Sequence, residues 1–111
     1  MHARVTLFEI DTLRVGLDEA LEIFRNRVLP RLRAHPSCLG VMALDTPDGK
    51  GMLLTFWETE AAASESVETG FYDEQLAEFT MFLRQPPGRE HYEVVLQELG
   101  PAFSASEGAT R

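Results

Sequence analysis

Three side chains in this sequence have the chemistry and the position to act on a small molecule. Trp57, the only tryptophan, ends an apolar run, and Tyr72 lies at the start of a later helical pattern. His91 lies near the start of the last predicted strand, where an imidazole can serve as a general base near neutral pH. His91 shares a strand face with Glu93, but two such residues on one strand arise often by chance, so we expect no metal site. His35, at a predicted helix end, is better explained as a cap.

The aromatic residues predict a pocket for a flat ligand. Trp57 and Tyr72 each carry a polar atom on a flat ring, which suits the rim of a pocket. The pocket walls would come from three of the seven phenylalanines, Phe8, Phe24 and Phe79. Most of the other aromatic side chains are expected to form the core. In this pocket His91 would be the base, while Trp57 would donate a hydrogen bond to the ligand and stack on it.

Composition argues against several other classes of protein. The 111 residues carry a formal net charge of −8, which disfavours nucleic-acid and anionic membrane partners. The sequence has no glycine-rich phosphate loop, no Gly-x-Ser-x-Gly turn and no Cys-x-x-Cys pair. Cys38, the single cysteine, cannot form an internal disulfide and is interpreted as a small buried hydrophobic side chain. Since no secretory pattern and no apolar run of about 20 residues is present, we expect a cytoplasmic protein.

Periodicity predicts four strands, two long helices and a short helix between them. The strands cover residues 3–10, 39–45, 51–58 and 89–99, and the helices cover residues 16–34, 60–68 and 71–84. In the first helix the apolar residues recur every three or four positions, which gives one buried face. Pro30 falls inside this pattern and should kink or loosen the helix. Its last turns hold a basic cluster, interpreted as a solvated helix end favoured by the helix dipole, namely Arg25, Arg27, Arg31 and Arg33.

The order of these elements indicates the fold. Strand, helix, strand, strand, helix, strand is the ferredoxin-like βαββαβ order, an α+β arrangement with a four-stranded antiparallel sheet. Both long helices then cover the same face of the sheet. We expect one domain at residues 1–99, followed by a tail at residues 100–111 that is rich in small and polar residues.

The other face of the sheet needs a cover of its own. In the third strand neither side is polar, because Leu53 and Trp57 alternate with Leu54 and Phe56. A second copy of the chain on the open face explains this pattern, because large apolar patches are rare on monomers. The alternative is a monomer whose own tail covers the face.

Three features, in this order and spacing, resemble the antibiotic biosynthesis monooxygenase-like family. Residues 56–62, FWETEAA, join a strand to an acidic helix start, and residues 33–40 have the sequence RAHPSCLG. The second stretch is similar to the family's turn Arg-Ala-x-Pro-Gly-aromatic-x-Gly, with Ser37 in place of the first glycine. An aromatic pair at 71–72 starts the next main helix, and the resemblance covers roughly residues 3–99. It implies a ferredoxin-like unit that pairs into a dimeric α+β barrel, with a pocket between sheet and helices in each subunit.

The chemistry that the resemblance implies is varied. Some members oxidise aromatic polyketides to quinones with O₂ and neither metal nor flavin, some degrade haem, and others isomerise small molecules. In the quinone-forming members an asparagine and a tyrosine join the tryptophan of the strand-helix junction, and this sequence has Leu53 and Ala63 at those positions. The tryptophan and histidine of the haem degraders fall on Glu65 or Ser66 and on Gln75. Haem degradation is therefore disfavoured.

Two functions stay open on the sequence. The first is a cofactor-independent monooxygenase of the antibiotic biosynthesis type, which oxidises a small phenol or quinol beside Trp57, Tyr72 and His91 and needs no cofactor. The second is a non-catalytic protein that binds a small ligand or has a structural role. In either case we expect the protein to be a homodimer. Turnover of a bound aromatic ligand would distinguish the first function from the second.

Overall fold

The computed structural model of the protein describes residues 1–104, so residues 105–111 of the predicted tail lie outside it. The elements follow in the order β1 (His2–Glu9), α1 (Leu17–Ile23), a π-helical turn (Phe24–Val28), α2 (Leu29–Ala34), β2 (Cys38–Asp45), β3 (Lys50–Trp57), α3 (Glu60–Glu68), α4 (Phe71–Ala77), a 3₁₀ turn (Thr80–Phe82), β4 (Gly88–Glu93) and α5 (Pro101–Ser104). None of the helices in this part of the chain has the length and apolar character of a membrane-spanning segment.

The four strands form one antiparallel sheet in the order β2-β3-β1-β4. This order confirms the predicted ferredoxin-like arrangement. The β2–β3 hairpin turns through Gly49, whose φ of 94° favours glycine. In the middle of the sheet Arg4 pairs with Thr55 on one side and with His91 on the other. Because paired residues project to the same face, these three side chains start from one side of the sheet.

The first long helix is interrupted where the sequence predicted loosening. Between α1 and α2 the chain makes a π-helical turn, in which Leu29 donates its backbone N–H to the carbonyl of Phe24. Pro30 lies two residues after this turn and has no N–H of its own, so the regular helical hydrogen bonds cannot run through it. A π-turn adds one residue to the helical ladder. The predicted effect of Pro30 is confirmed. The π-helical turn ends at Val28, whose side chain is buried with 1% exposure.

The second main helix is shorter than predicted. α4 ends at Ala77 instead of residue 84, and the 3₁₀ turn at Thr80–Phe82 follows it. The chain then turns toward β1, where Arg84 donates its N–H to the carbonyl of Glu9 at 2.9 Å. A residue that pairs with a strand in this way cannot also continue an α-helix. The prediction of a helix to residue 84 was therefore wrong.

The last strand is also shorter than predicted, because its partner strand ends. Glu93 pairs with His2 at the start of β1, and Val94 donates its N–H to the carbonyl of Met1 at 2.9 Å. The ladder between the two strands ends at this point, and the last strand ends at Glu93 instead of Leu99. The apolar side chains that follow it are exposed, namely Val95, Leu96 and Leu99.

The two faces of the sheet differ in how they are covered. On the helical side a small core forms around Ile10, Val15 and Ala20, each less than a tenth exposed. The opposite side carries large apolar side chains that are nearly half exposed. They come from three different strands, namely Leu44, Met52 and Tyr92.

Candidate active site

A cavity of about 150 Å³ lies between the sheet and the helices. Alternate residues of β1 and β3 form its floor, and the helices with the segment after α4 form its walls. The floor includes Arg4, Thr6, Phe8, Leu53, Thr55 and Trp57, and the walls include Phe24, Val28, Phe71, Tyr72, Leu76 and Phe79. An engineered apolar cavity of about 150 Å³ binds benzene, so this space accommodates at least one aromatic ring.

Two aromatic side chains with polar atoms are fixed in this cavity by threonines of the sheet. Trp57 is 1% exposed, and its indole N–H donates to Oγ1 of Thr55 at 2.9 Å. The Tyr72 hydroxyl lies 3.0 Å from Oγ1 of Thr6, and either oxygen can be the donor. Trp57 is thus buried in the cavity and does not lie at a solvent-exposed rim. Its single N–H is already engaged, so it presents its ring and not a donor to a ligand.

His35 packs against Trp57 and helps to hold it in place. Its ring meets Trp57 edge-on with the centroids 5.1 Å apart, and it meets Phe71 in the same way at 4.9 Å. The backbone N–H of Ser37 donates to Nδ1 of His35 at 3.2 Å. His35 is also the residue that ends α2. It therefore joins the end of this helix to the wall of the cavity.

Arg4 is the one cationic side chain among the described residues that line the cavity, and it is only 4% exposed. Its Nη1 donates to Oγ of Ser66 at 2.7 Å, and its Nη2 donates to the carbonyl of Ala63. The guanidinium carbon also lies 5.5 Å from the ring centre of Trp57 and 5.2 Å from that of Tyr72. None of the ion pairs formed within residues 1–104 involves Arg4.

The environment of Arg4 changes its acid–base properties in a definite direction. Burial lowers the pKa of its guanidinium, and the nearby charge of Arg89 lowers this pKa further, whereas Tyr72 raises it. Arginine nevertheless keeps its proton in proteins, so the group stays charged. The site therefore contains a buried cation held by neutral oxygens and aromatic rings.

His91 lies outside the cavity, in contrast to the prediction that it shares the pocket with Trp57. It is exposed, and its Nε2 lies 3.2 Å from Nδ1 of His2, the neighbouring side chain on β1. It borders a shallower space on the protein surface, which we call the outer depression, formed by Arg4, Glu60, Ser64, Val67, Glu68, Arg89, Glu90 and His91. Because β4 is the edge strand, Arg4 on the central strand comes between His91 and the cavity. Within residues 1–104 no group of three or more histidine, cysteine, aspartate or glutamate side chains is arranged to hold a metal ion.

The other predicted residues fall into two groups. Phe8, Phe24 and Phe79 line the cavity, as Tyr72 does. Most of the basic cluster pairs with surface acids instead: Arg25 with Glu22 at 2.5 Å, and both Arg27 and Arg31 with Glu78 at 3.4 and 3.3 Å. Exposed pairs of this kind contribute little to stability.

Sequence reasoning missed the polar floor of the cavity. Arg4 and Thr6 precede Phe8 and Ile10 at alternate positions of β1, so one face of this strand changes from polar to apolar along its length. That alternation was visible in the sequence. Gln75 was considered only as a replacement for a haem-binding histidine, but it is 8% exposed, and its Nε2 donates to the carbonyl of Phe71 at 3.2 Å.

Comparison with known proteins gives a match at the level of structure alone. No protein-family model and no curated protein sequence matches the chain. Among solved structures, an antibiotic biosynthesis monooxygenase superposes with a TM-score of 0.68 at 17% identity, over 86% of this chain and 100% of the other. The monooxygenase ActVA-Orf6 of Streptomyces coelicolor, in complex with nanaomycin D, gives 0.66 at 20% identity, over 89% and 91%.

A third solved structure has the same architecture at still lower identity. SnoaB, a cofactor-independent oxygenase from Streptomyces nogalater, superposes with a TM-score of 0.67 at 10% identity, over 86% of this chain and 94% of the other. At such identities the likeness shows a common fold and not a common activity. The chain thus adopts, over most of its length, the α+β fold of the antibiotic biosynthesis monooxygenase structures, as the sequence resemblance predicted.

Proposed function

We propose that this protein is a cofactor-independent monooxygenase that acts on a small phenol or quinol bound in the cavity. The observation that carries the proposal is the division of the cavity into an apolar part and a polar end. Phenylalanines and aliphatic side chains form most of its walls, while Tyr72, Thr6 and Arg4 bring polar atoms to one region of the floor. A flat ring bound here would rest on apolar side chains with its oxygen directed at these groups. The fold shared with SnoaB and ActVA-Orf6 supports the same reaction class.

The proposed reaction draws all its electrons from the substrate. A phenolic ring with an adjacent oxidisable CH₂ loses a proton to give a resonance-stabilised anion, which reacts with O₂ to form a C–O bond. The resulting hydroperoxide loses water and leaves a carbonyl, so that CH₂ and O₂ become C=O and H₂O. The protein has to hold the ring, favour the anion and manage the proton.

Side chains inside the cavity can serve these needs. Trp57 provides a fixed ring face, because its N–H is held by Thr55. The Tyr72 hydroxyl, paired with Thr6, can exchange a proton with a ligand oxygen. His91 was predicted to be the base, but it borders the outer depression. We therefore assign proton handling to the pair of Tyr72 and Thr6.

Oxygen uptake with a graded panel of substrates tests this proposal. The purified protein would be mixed with phenol, 1-naphthol and anthrone, whose keto forms carry the CH₂ that is oxidised, in an oxygen-electrode cell, with autoxidation measured in buffer and with heat-denatured protein. We expect uptake above both backgrounds for at least one substrate, together with one quinone formed per O₂ and no hydrogen peroxide, because the second oxygen atom leaves as water. Uptake equal to background across the panel would exclude the monooxygenase function.

A second function, binding without catalysis, is favoured by one specific observation. Leu53 lines the cavity and Ala63 is fully buried, at positions where the resemblance predicts polar partners for Trp57. The carbonyl of Ala63 accepts hydrogen bonds from Arg4 and from Ser66, so this position holds Arg4 in place instead. A binding protein would show a stoichiometric thermal shift with an aromatic ligand and no product. Turnover of that ligand would exclude it.

We also propose that the protein is a homodimer formed through the open face of the sheet. Three strands present apolar side chains there, and several are nearly half exposed, namely Leu44, Met52 and Tyr92. Val5 and Leu54, which pair across β1 and β3, lie on this face between them. A second copy would bury this surface, and it would leave the cavity untouched because the cavity lies on the helical side.

A further inference from the structure

We propose that the cavity selects aromatic ligands that carry an oxyanion, and that Arg4 is the residue that binds the charged oxygen. This inference rests on the cavity being the ligand site, as in the proposed function, but it does not depend on oxygenation. It concerns the charge of the ligand, which determines which small aromatic molecules bind.

The first step is the absence of a counter-charge at Arg4. The side chain is 4% exposed and its hydrogen-bond partners are neutral: the Ser66 hydroxyl and the Ala63 carbonyl. None of the ion pairs within the described residues includes it. Buried charges in proteins are normally paired, because taking an unpaired ion out of water is costly. An anionic ligand would supply the missing partner.

The second step is the geometry of the guanidinium. It has five N–H donors on a planar fork that matches a carboxylate, and the two protein oxygens do not use them all. The faces of the Trp57 and Tyr72 rings, at 5.5 and 5.2 Å, hold the group in position. The donor is thus fixed before the ligand arrives, which strengthens binding because little freedom is lost.

The third step is the arrangement of the other charges. The outer depression, which Arg4 also borders, contains three carboxylates that make it unsuitable for an anion, namely Glu60, Glu68 and Glu90. On the cavity side the acidic residue is Asp45, which pairs with Gly51 and so lies level with Phe8 on β1. Four residues of strand separate that level from Arg4, or roughly 13 Å at the usual rise. An anion in the cavity therefore meets Arg4 at one end, well away from Asp45.

Arg89 adds to the positive character of this end. Its guanidinium carbon lies 5.1 Å from the ring centre of Tyr72, the ring that also contacts Arg4. Arg89 is exposed, however, and borders the outer depression and not the cavity. Its contribution is therefore screened by water, and we expect Arg4 to determine ligand choice.

A purely structural role for Arg4 predicts a different result. In that case Arg4 would serve only to tie α3 to the sheet through Ser66 and Ala63. Those two groups stay paired without it, because Oγ of Ser66 also donates to the carbonyl of Ala63 at 2.7 Å. Replacement of a buried charged residue by an apolar one of similar volume is often tolerated. We therefore expect the Arg4→Met variant to fold, as checked by circular dichroism.

Calorimetric titration with pairs of ligands that differ only in charge tests the inference. The probes are benzoate against benzamide and 2-naphthoate against 2-naphthamide, at pH 7.5 and without oxygen. In the unmodified protein we expect each carboxylate to bind at least about tenfold more tightly than its amide, the factor of a hydrogen bond to a charged group. In Arg4→Met this ratio should fall to about one or below. The control variant Arg89→Gln should keep most of it.

Several results would overturn the inference. In the unmodified protein these results are equal or tighter binding of the amides, or no binding of any probe at millimolar concentration. In the variants they are a carboxylate preference that Arg4→Met retains, or one that Arg89→Gln loses while Arg4→Met keeps it. The first two need no variant, so they decide the matter even if Arg4→Met does not fold. Selective carboxylate binding combined with no oxygen uptake on the phenol panel would contradict the monooxygenase proposal and leave the oxyanion site intact. Oxygen uptake on the phenol panel with no preference for carboxylates would contradict the oxyanion site and leave the monooxygenase proposal intact.

Discussion

The hydroxyl of Tyr72 lies 3.0 Å from Oγ1 of Thr6, and this contact joins helix α4 to the central strand of the sheet. Two guanidinium groups, those of Arg4 and Arg89, lie 5.2 and 5.1 Å from the centre of the same Tyr72 ring. The cavity therefore has a phenolic oxygen whose position is set by both a hydrogen bond and two cations. This is the group best placed to handle a proton in the proposed reaction.

Removal of this hydroxyl should reduce activity far more than stability. We expect Tyr72→Phe to lower the rate of oxygen uptake by about 100-fold, the lower end of the effect of a positioned acid or base. The free energy of unfolding should fall by only about 1 kcal/mol, since one neutral hydrogen bond is lost. The matched control is Tyr92→Phe, because Tyr92 is half exposed and its hydroxyl donates to Glu90 on the opposite side of the sheet. Equal rates in the two variants would remove Tyr72 from the mechanism.

The floor of the cavity depends on a glycine next to Phe8. Gly51 pairs with Phe8 across β1 and β3, and a methyl group on Gly51 would overlap the Phe8 ring and lie 2.9 Å from the carbonyl of Leu44. We expect Gly51→Ala to destabilise the protein by about 1–3 kcal/mol, the usual cost of overpacking. It should also weaken binding of aromatic ligands, because the displaced ring changes the wall of the cavity. Gly88→Ala is the control, since its methyl group would meet Leu7 at an ordinary 3.8 Å. Urea unfolding of both variants gives the comparison, and equal midpoints would contradict the expected effect.

Local sequence patterns predicted the fold well because its elements are built from local signals. The turn at Gly49 and the π-helical turn before Pro30 both follow from residues that limit the backbone at that point. The short helix begins at Glu60, where Thr59 accepts a hydrogen bond from the N–H of Ala62 as a cap. Each of these features depends on residues within a few positions of one another.

Local patterns could not predict where α4 and β4 end, because these ends depend on partners that are distant in the sequence. The helical spacing continues past Ala77, yet the chain leaves the helix because Arg84 pairs with Glu9 of β1. The apolar run continues past Glu93, yet the ladder stops because β1 begins at His2. Both partners are distant in the sequence from the positions that they determine.

The candidate site was predicted only in part for the same reason. Aromatic side chains were assigned to a pocket by their type, and Tyr72 and Phe79 do lie in the wall of the cavity. Strand alternation gives the face on which His91 lies but not the distance of an edge strand from the cavity, so His91 was misplaced. Arg4 was overlooked because a single arginine in a short strand looks like a surface residue until its burial is known.

Cys38 should react slowly with alkylating reagents. Burial raises the pKa of its thiol above the ordinary 9.0, and a backbone hydrogen bond with Gly40 only partly opposes this. The thiolate is the reactive form, so at pH 8 we expect iodoacetamide to label the folded protein several times more slowly than the urea-unfolded protein. A thiol with a raised pKa in the folded state also makes stability fall as pH rises above about 9, because the unfolded chain then loses the proton first. Equal labelling rates in the two states, measured by mass spectrometry, would contradict the assignment.

The open face of the sheet makes the most direct prediction about assembly. Met52 is 42% exposed on β3, so a glutamate there can reach water in a monomer but would be buried without a partner in the proposed dimer. We expect the unmodified protein to have twice the chain mass in light scattering at micromolar concentration, and Met52→Glu to have the mass of one chain. Met81→Glu is the matched control, because Met81 is 66% exposed within the 3₁₀ turn on the helical side, so the substitution should leave the dimer intact. A single-chain mass for the unmodified protein, or a dimer that survives Met52→Glu, would mean that this face does not form the interface.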